Sequence, residues 1–178
     1  PIYRDAELAA ILHDARTRCL VVPGSWRGYD YAAAGERLRP ALPALRHIVT
    51  VRASVPGALA FEDLLAAGRG REIGESGAGA DDTKLLLFTS GTTGRAKGVR
   101  HSQRSLTAPL LRAMRRWGIG DGDGVIMPSP VTHVTGYCCG LELPFTLGTR
   151  TLLMERWDAG HALSLIRASS PSTTMCGS

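Results

Sequence analysis

The protein is a chain of 178 residues and 19.0 kDa, long enough to bury roughly 70% of its unfolded surface in one ordinary domain or in a piece of a larger one. Hydrophobic residues make up 44% and charged residues 21%, a balance that excludes a disordered or collagen-like chain. No apolar run approaches the roughly 18 residues of a membrane span, and Arg4, Asp5, Glu7, His13 and Asp14 interrupt the first apolar stretch, so no secretory signal is expected and the cytoplasm is the expected compartment.

Asp5 is expected to cap a helix whose apolar positions Leu8, Ile11, Leu12 and Ala15 recur with helical period, and Cys19–Val22 reads as a buried strand ending at Pro23-Gly24. Tyr31–Leu38 reads as a helix broken by Pro40 and Pro43, His47–Val51 as a strand, and Phe61–Ala66 as a short helix. Residues 67–82 (AGRGREIGESGAGADD) lack periodicity and read as a loop, a mobile linker or a domain sub-boundary. Leu85–Phe88 is a continuous apolar run, expected to be a strand buried on both faces. A helix starting at His101 or Ser102 and reaching Trp117 follows, then a strand at Val125–Met127, an apolar helix at Tyr137–Leu147, a strand at Thr151–Met154, a helix capped by Asp158, and a strand at Thr173–Cys176. The alternation predicts an α/β fold, a mostly parallel sheet with helices on both faces.

The chain opens at Pro1 inside a helical pattern, without an initiator Met, and stops at Ser178 just after a strand; it reads as a segment cut from a longer protein. The four cysteines, Cys19, Cys138, Cys139 and Cys176, lack the spacing of a zinc site and are expected to be reduced structural thiols; no metal ligands are assigned. The net charge of +5 is uneven. Thr83–Gly120 contains eight basic residues (Lys84, Arg95, Lys97, Arg100, Arg104, Arg112, Arg115, Arg116) and no acid, so that window is +8 and the rest of the chain −3. Such a field suits a polyanion, either nucleic acid or a nucleotide triphosphate, unless it is simply a solvated helix face.

At the head of the window Thr89–Gly98 (TSGTTGRAKG) follows the apolar strand, where open α/β sheets bind ligands. Gly91, Gly94 and Gly98 free the backbone to present N–H groups to an anion, Thr89, Ser90, Thr92 and Thr93 add hydroxyls, and Lys97 adds a full charge. The spacing is not that of a Walker A loop, since Ala96 stands where its second glycine belongs.

Leu86–Val99, read as LLFTSGTTGRAKGV, resembles the signature phosphate loop of the adenylate-forming (AMP-dependent synthetase/ligase) superfamily, with Ala96 where that family most often has proline. The resemblance implies that Thr89, Ser90, Gly91, Thr92, Thr93, Gly94 and Lys97 hold the β- and γ-phosphates of ATP. Pro128–Gly136 (PSPVTHVTG) is similar to a later motif of the same family beside the acyl pocket, which implies substrate-binding roles for His133 and Gly136. The opening residues Pro1–Leu8 with Ile11 and Leu12 are similar to a helix of acyl-CoA synthetases, particularly those acting on medium-chain or alicyclic acids.

By that resemblance the chain is an incomplete N-terminal AMP-binding domain of an acid–thiol ligase. Its expected cofactors are ATP, Mg2+ and coenzyme A, its partner a small-molecule carboxylic acid, and its setting that of fatty acid metabolism. The family's Gly-Tyr-Gly-x-Thr-Glu motif, ribose-binding Asp and catalytic C-terminal lysine do not occur here, so no catalytic residue is assigned and these 178 residues taken alone are expected to be inactive. The alternatives are an adenylation domain that loads a carrier protein, a non-catalytic phosphate-binding remnant and a nucleic-acid-binding module; few aromatics accompany the basic window, which counts against the last.

Overall fold

A computed structural model describes residues 3–89, 96–168 and 173–175. The chain divides into two compact units, one comprising Pro1–Gly77 with Phe88–Val99, the other Ala78–Leu87 with Arg100–Ser178.

The first unit is built from helix α1 (Asp5–Asp14), strands β1 (Cys19–Pro23), β2 (Ser25–Trp26) and β3 (Tyr29–Asp30), helix α2 (Tyr31–Leu38), strands β4 (His47–Val51) and β5 (Leu59–Ala60), and helix α3 (Phe61–Gly68). Strands β1, β4 and β5 form a parallel sheet in that order, with Cys19 opposite His47 and Val49 opposite Leu59. Parallel strands need a crossover, and α2 supplies it between β1 and β4. Leu12, Leu42, Leu45 and Ile48 form the buried core, with Leu8, Leu20 and Leu38 against it.

Asp30 caps α2 by accepting from the Ala33 N–H at 2.9 Å. Asp5 does not cap α1; the cap position is Arg4, and Asp5 sits in the first turn. Its carboxylate accepts from the Tyr29 hydroxyl and from Arg37 at 3.1 Å, which holds its pKa below the usual carboxylate value. The β2–β3 hairpin is absent from the sequence expectation. Arg27 and Gly28 at its tip both have positive φ, as a two-residue type I′ turn requires.

Residues 69–82 form neither helix nor strand and are exposed throughout. Strands β6 (Thr83–Thr89) and β7 (Lys97–Ser102) then pair as a two-stranded sheet. The expectation that Leu85–Phe88 is buried on both faces is overturned: Leu86 is 37% exposed, and Leu85, Leu87 and Phe88 are half-buried. A two-stranded ribbon has too few neighbours to cover both faces of an apolar strand.

The second unit continues with helix α4 (Gln103–Trp117), strand β8 (Gly124–Met127), helix α5 (Val134–Tyr137), a π-type turn (Cys138–Glu142), helix α6 (Leu143–Leu147), strand β9 (Arg150–Leu153), helix α7 (Ala159–Ala168) and strand β10 (Thr173–Met175). Its parallel sheet has the order β10-β8-β9, so the central strand is the first in sequence. All four residues of β8 are buried, and Val125 and Met127 join Leu110, Met114, Ile119, Cys139 and Leu143 in the core. The polar side of α4 faces away from Leu106, Leu110 and Met114, its three buried residues. Asp158 caps α7 as expected, accepting from the His161 N–H at 2.6 Å. Cys176 lies outside the described residues.

The start of α4 is locked reciprocally. Ser102 Oγ accepts from the Ser105 N–H at 3.1 Å, while Ser105 Oγ accepts from the Ser102 N–H at 2.9 Å. Replacing Ser102 with Ala should therefore cost about 1 kcal/mol of stability, read as a lower urea midpoint at unchanged slope; an unchanged midpoint would show that the cap is redundant.

Candidate functional site

Of the residues expected to hold phosphate, Thr89 ends β6 and Lys97 begins β7, so ribbon pairing brings the two together. The Thr89 hydroxyl reaches the Lys97 carbonyl oxygen at 3.5 Å, and the Lys97 side chain is exposed. Ser90, Gly91, Thr92, Thr93 and Gly94 lie outside the described residues. β7 is absent from the sequence expectation because KGVRHS has no apolar alternation to mark it.

The charge of the basic window is partly neutralised by acids outside it. Arg104 forms an ion pair with Asp81 at 2.7 Å, which raises the Arg104 pKa and lowers that of Asp81; both side chains are open to solvent. Lys84 pairs with Glu142 at 3.2 Å. Arg100 donates to the Thr83 hydroxyl at 2.7 and 3.0 Å, bracing the open end of the ribbon. The Lys97 side chain is exposed, as are those of Arg112, Arg115 and Arg116 on α4.

His133 and Gly136 lie in the second unit, in the loop and first helical turn beyond the carboxyl end of β8. That is where parallel sheets place ligands. His133 is the cap residue of α5. Its Nδ1 accepts from the Thr135 N–H at 3.4 Å, and its own N–H donates to the Pro130 carbonyl at 2.9 Å. With Nδ1 accepting, a neutral imidazole carries its proton on Nε2 and presents a donor to an anion. The ring is exposed.

Gly136 is buried and acts through space. A Cβ there would collide with the Pro130 carbonyl oxygen and come within 2.7 Å of the Ser129 carbonyl oxygen. The missing side chain lets residues 129–130 pack onto the helix and so sets the position of His133, which no larger residue permits.

The sequence reading missed Glu142. It lies in the π-type turn with its side chain 1% exposed, and its Oε1 accepts from Lys84 Nζ and from the Thr107 hydroxyl. The signal available was a single acid in an otherwise apolar helix, GYCCGLELPF. Burial, reinforced by the negative charge of Glu142, pushes the neighbouring Cys138 thiol up, so it stays protonated near neutrality. Cys19 and Cys138 are free thiols. Among the described residues no three His, Cys, Asp or Glu side chains converge as metal ligands, and no helix is long and apolar enough to cross a membrane.

Parallel three-stranded sheets whose strands are joined through helices define an α/β protein. The sequence profile of the AMP-binding enzyme family matches residues 1–177, and the chain belongs to that family. It is 27% identical over 168 residues to the medium-chain fatty-acid–CoA ligase of Escherichia coli (strain K12), covering 93% of this chain and 30% of that protein. It is 31% identical to the 3-[(3aS,4S,7aS)-7a-methyl-1,5-dioxo-octahydro-1H-inden-4-yl]propanoyl:CoA ligase of Mycobacterium tuberculosis (strain ATCC 25618 / H37Rv), covering 92% of this chain and 32% of that protein. Among solved structures, ATP-bound MatB from Rhodopseudomonas palustris superposes with a TM-score of 0.75 at 23% identity, covering 94% of this chain and 31% of that one. The chain thus spans about a third of the length of the curated relatives it matches.

The Gly136 packing is directly testable. Gly136→Ala should destabilise the protein by about 1–3 kcal/mol, since the carbonyl oxygens it meets are backbone and cannot swing away. A chemical denaturation midpoint equal to wild type would refute the close approach.

Proposed function

We propose that the chain is the phosphate-loop portion of a longer ATP-dependent acid–CoA ligase, which activates a carboxylic acid as an acyl-adenylate and transfers the acyl group to coenzyme A. The observation that carries this reading is the string TSGTTGRAKG, spanning the end of β6 and the start of β7 in a chain of the AMP-binding family. Relatives named as CoA ligases favour coenzyme A over a carrier protein as the thiol acceptor. Their names refer to a medium-chain fatty acid and to a bicyclic propanoyl group, and the acid proposed here is of that apolar kind.

In the proposed reaction one carboxylate oxygen attacks the α-phosphorus of ATP and pyrophosphate leaves. The thiol sulfur then attacks the acyl carbon, its proton is lost, and AMP departs with the oxygen it gained. Negative charge grows on the departing pyrophosphate, where a cluster of donors helps most. The role assigned to Thr89, Ser90, Gly91, Thr92, Thr93, Gly94 and Lys97 is to hold those phosphates. Their donor set fits an anion: hydroxyls, backbone N–H groups and one ammonium, with no carboxylate between Thr83 and Gly120. Mg2+, a hard cation that keeps several waters and binds substrate phosphates, is taken to arrive with the nucleotide, and no residue of this chain is assigned to it. His133, with Nε2–H outward, is assigned to the substrate carboxylate, and Gly136 to holding His133 there.

A charge-assisted hydrogen bond contributes roughly 1.5–3 kcal/mol. Lys97→Ala in the full-length protein should accordingly slow acid-dependent ATP–pyrophosphate exchange by about tenfold to a hundredfold or more. An unchanged exchange rate would remove the loop from the mechanism.

A further inference from the structure

The glycine-rich loop sits within a long excursion of the chain, out along β6 and back along β7 into α4. On the outgoing side stands Lys84, and on the returning side Thr107, 23 positions later. Both reach the same atom. Glu142 Oε1 accepts from Lys84 Nζ at 3.2 Å and from the Thr107 hydroxyl. The carboxylate that receives them is 1% exposed, and its other oxygen, Oε2, is buried and has no hydrogen-bond partner among the described residues.

That arrangement is costly for a purely structural role. A half-satisfied buried carboxylate on a helix that otherwise packs with Cys139 and Leu143 could be replaced by an apolar residue with no loss of packing. Glu142 also lies in a π-type turn, a local departure from α-helical winding often found at functional positions. What an apolar residue could not do is tie both stems of the excursion to one point by directional bonds.

We infer that Glu142 is a positioning residue that clamps the base of the 85–106 excursion through Lys84 and Thr107, and so fixes the two stems from which the segment proposed to bind phosphate departs. The inference rests on the acid-ligase reading for its catalytic consequence, but the clamp itself is measurable without activity.

The decisive variant is Lys84→Met/Glu142→Leu in the full-length protein, which removes both charges together and avoids leaving one buried alone. It should melt no lower than wild type. Limited trypsin digestion should nevertheless cut faster after Lys97 and Arg100, relative to the exposed internal reference sites Arg69 and Arg71, by about tenfold. In acid-dependent pyrophosphate exchange the KM for MgATP should rise while the KM for the acid stays put, and the rate at low ATP should fall about tenfold to a hundredfold. Lys84→Arg, which keeps the charge, should restore both readouts, and Glu142→Gln, which keeps the shape, should shift them the same way as the double variant should that variant fail to fold. An unchanged cleavage ratio overturns the clamp, whatever the exchange data show. A shifted ratio in a protein whose wild type exchanges with no acid upholds the clamp and overturns the ligase reading instead.

Discussion

Two parallel strands can pair only after the chain has crossed back over the sheet, and each crossover leaves a loop at a carboxyl end. That constraint organises both units. In the first, α2 carries the chain from β1 to β4; in the second, the α5–α6 helical run carries it from β8 to β9, and α7 from β9 to β10. Because β8 is the central strand of its sheet and buried at every position, the loop leaving it starts from a rigid platform. His133 stands in that loop, and Gly136 lets it pack down onto the following helix.

Two cations of the basic window are paired with acids outside it. The basic window reads from sequence as a single positive field, yet Lys84 is committed to Glu142 and Arg104 to Asp81, while Arg100 braces Thr83. Pairing with acids from other stretches of chain lowers the field that a polyanion would meet. Lys97, at the start of β7, is exposed, as are Arg112, Arg115 and Arg116 on α4.

Much of the fold was legible because the elements with buried faces carry periodic signals. Leu106, Leu110 and Met114 mark the buried side of α4, and Ser102 and Asp158 mark helix starts that the structure reproduces. The elements that escaped reading are those stabilised by partners distant in sequence. β7 is a polar strand paired to β6, and β2 and β3 are two residues each. The Leu85–Phe88 run was misjudged for a related reason: apolar composition reports what a strand can bury, while exposure depends on which neighbours it has. The motif residues proposed for the site stand out in the sequence by their chemistry. Glu142 does not, since a lone acid in an apolar helix has no local pattern and its partners lie 35 and 58 positions away.

The central claim is that a carboxylate oxygen becomes bonded to the α-phosphorus of ATP, and isotope transfer tests it most directly. The full-length protein would be incubated with MgATP, coenzyme A and medium-chain or alicyclic acids bearing 18O in the carboxylate, and the nucleotide product weighed by mass spectrometry. The account predicts AMP carrying one 18O, formed together with pyrophosphate and an acyl thioester. Formation of ADP, or of AMP with all label retained by the acid, would contradict it.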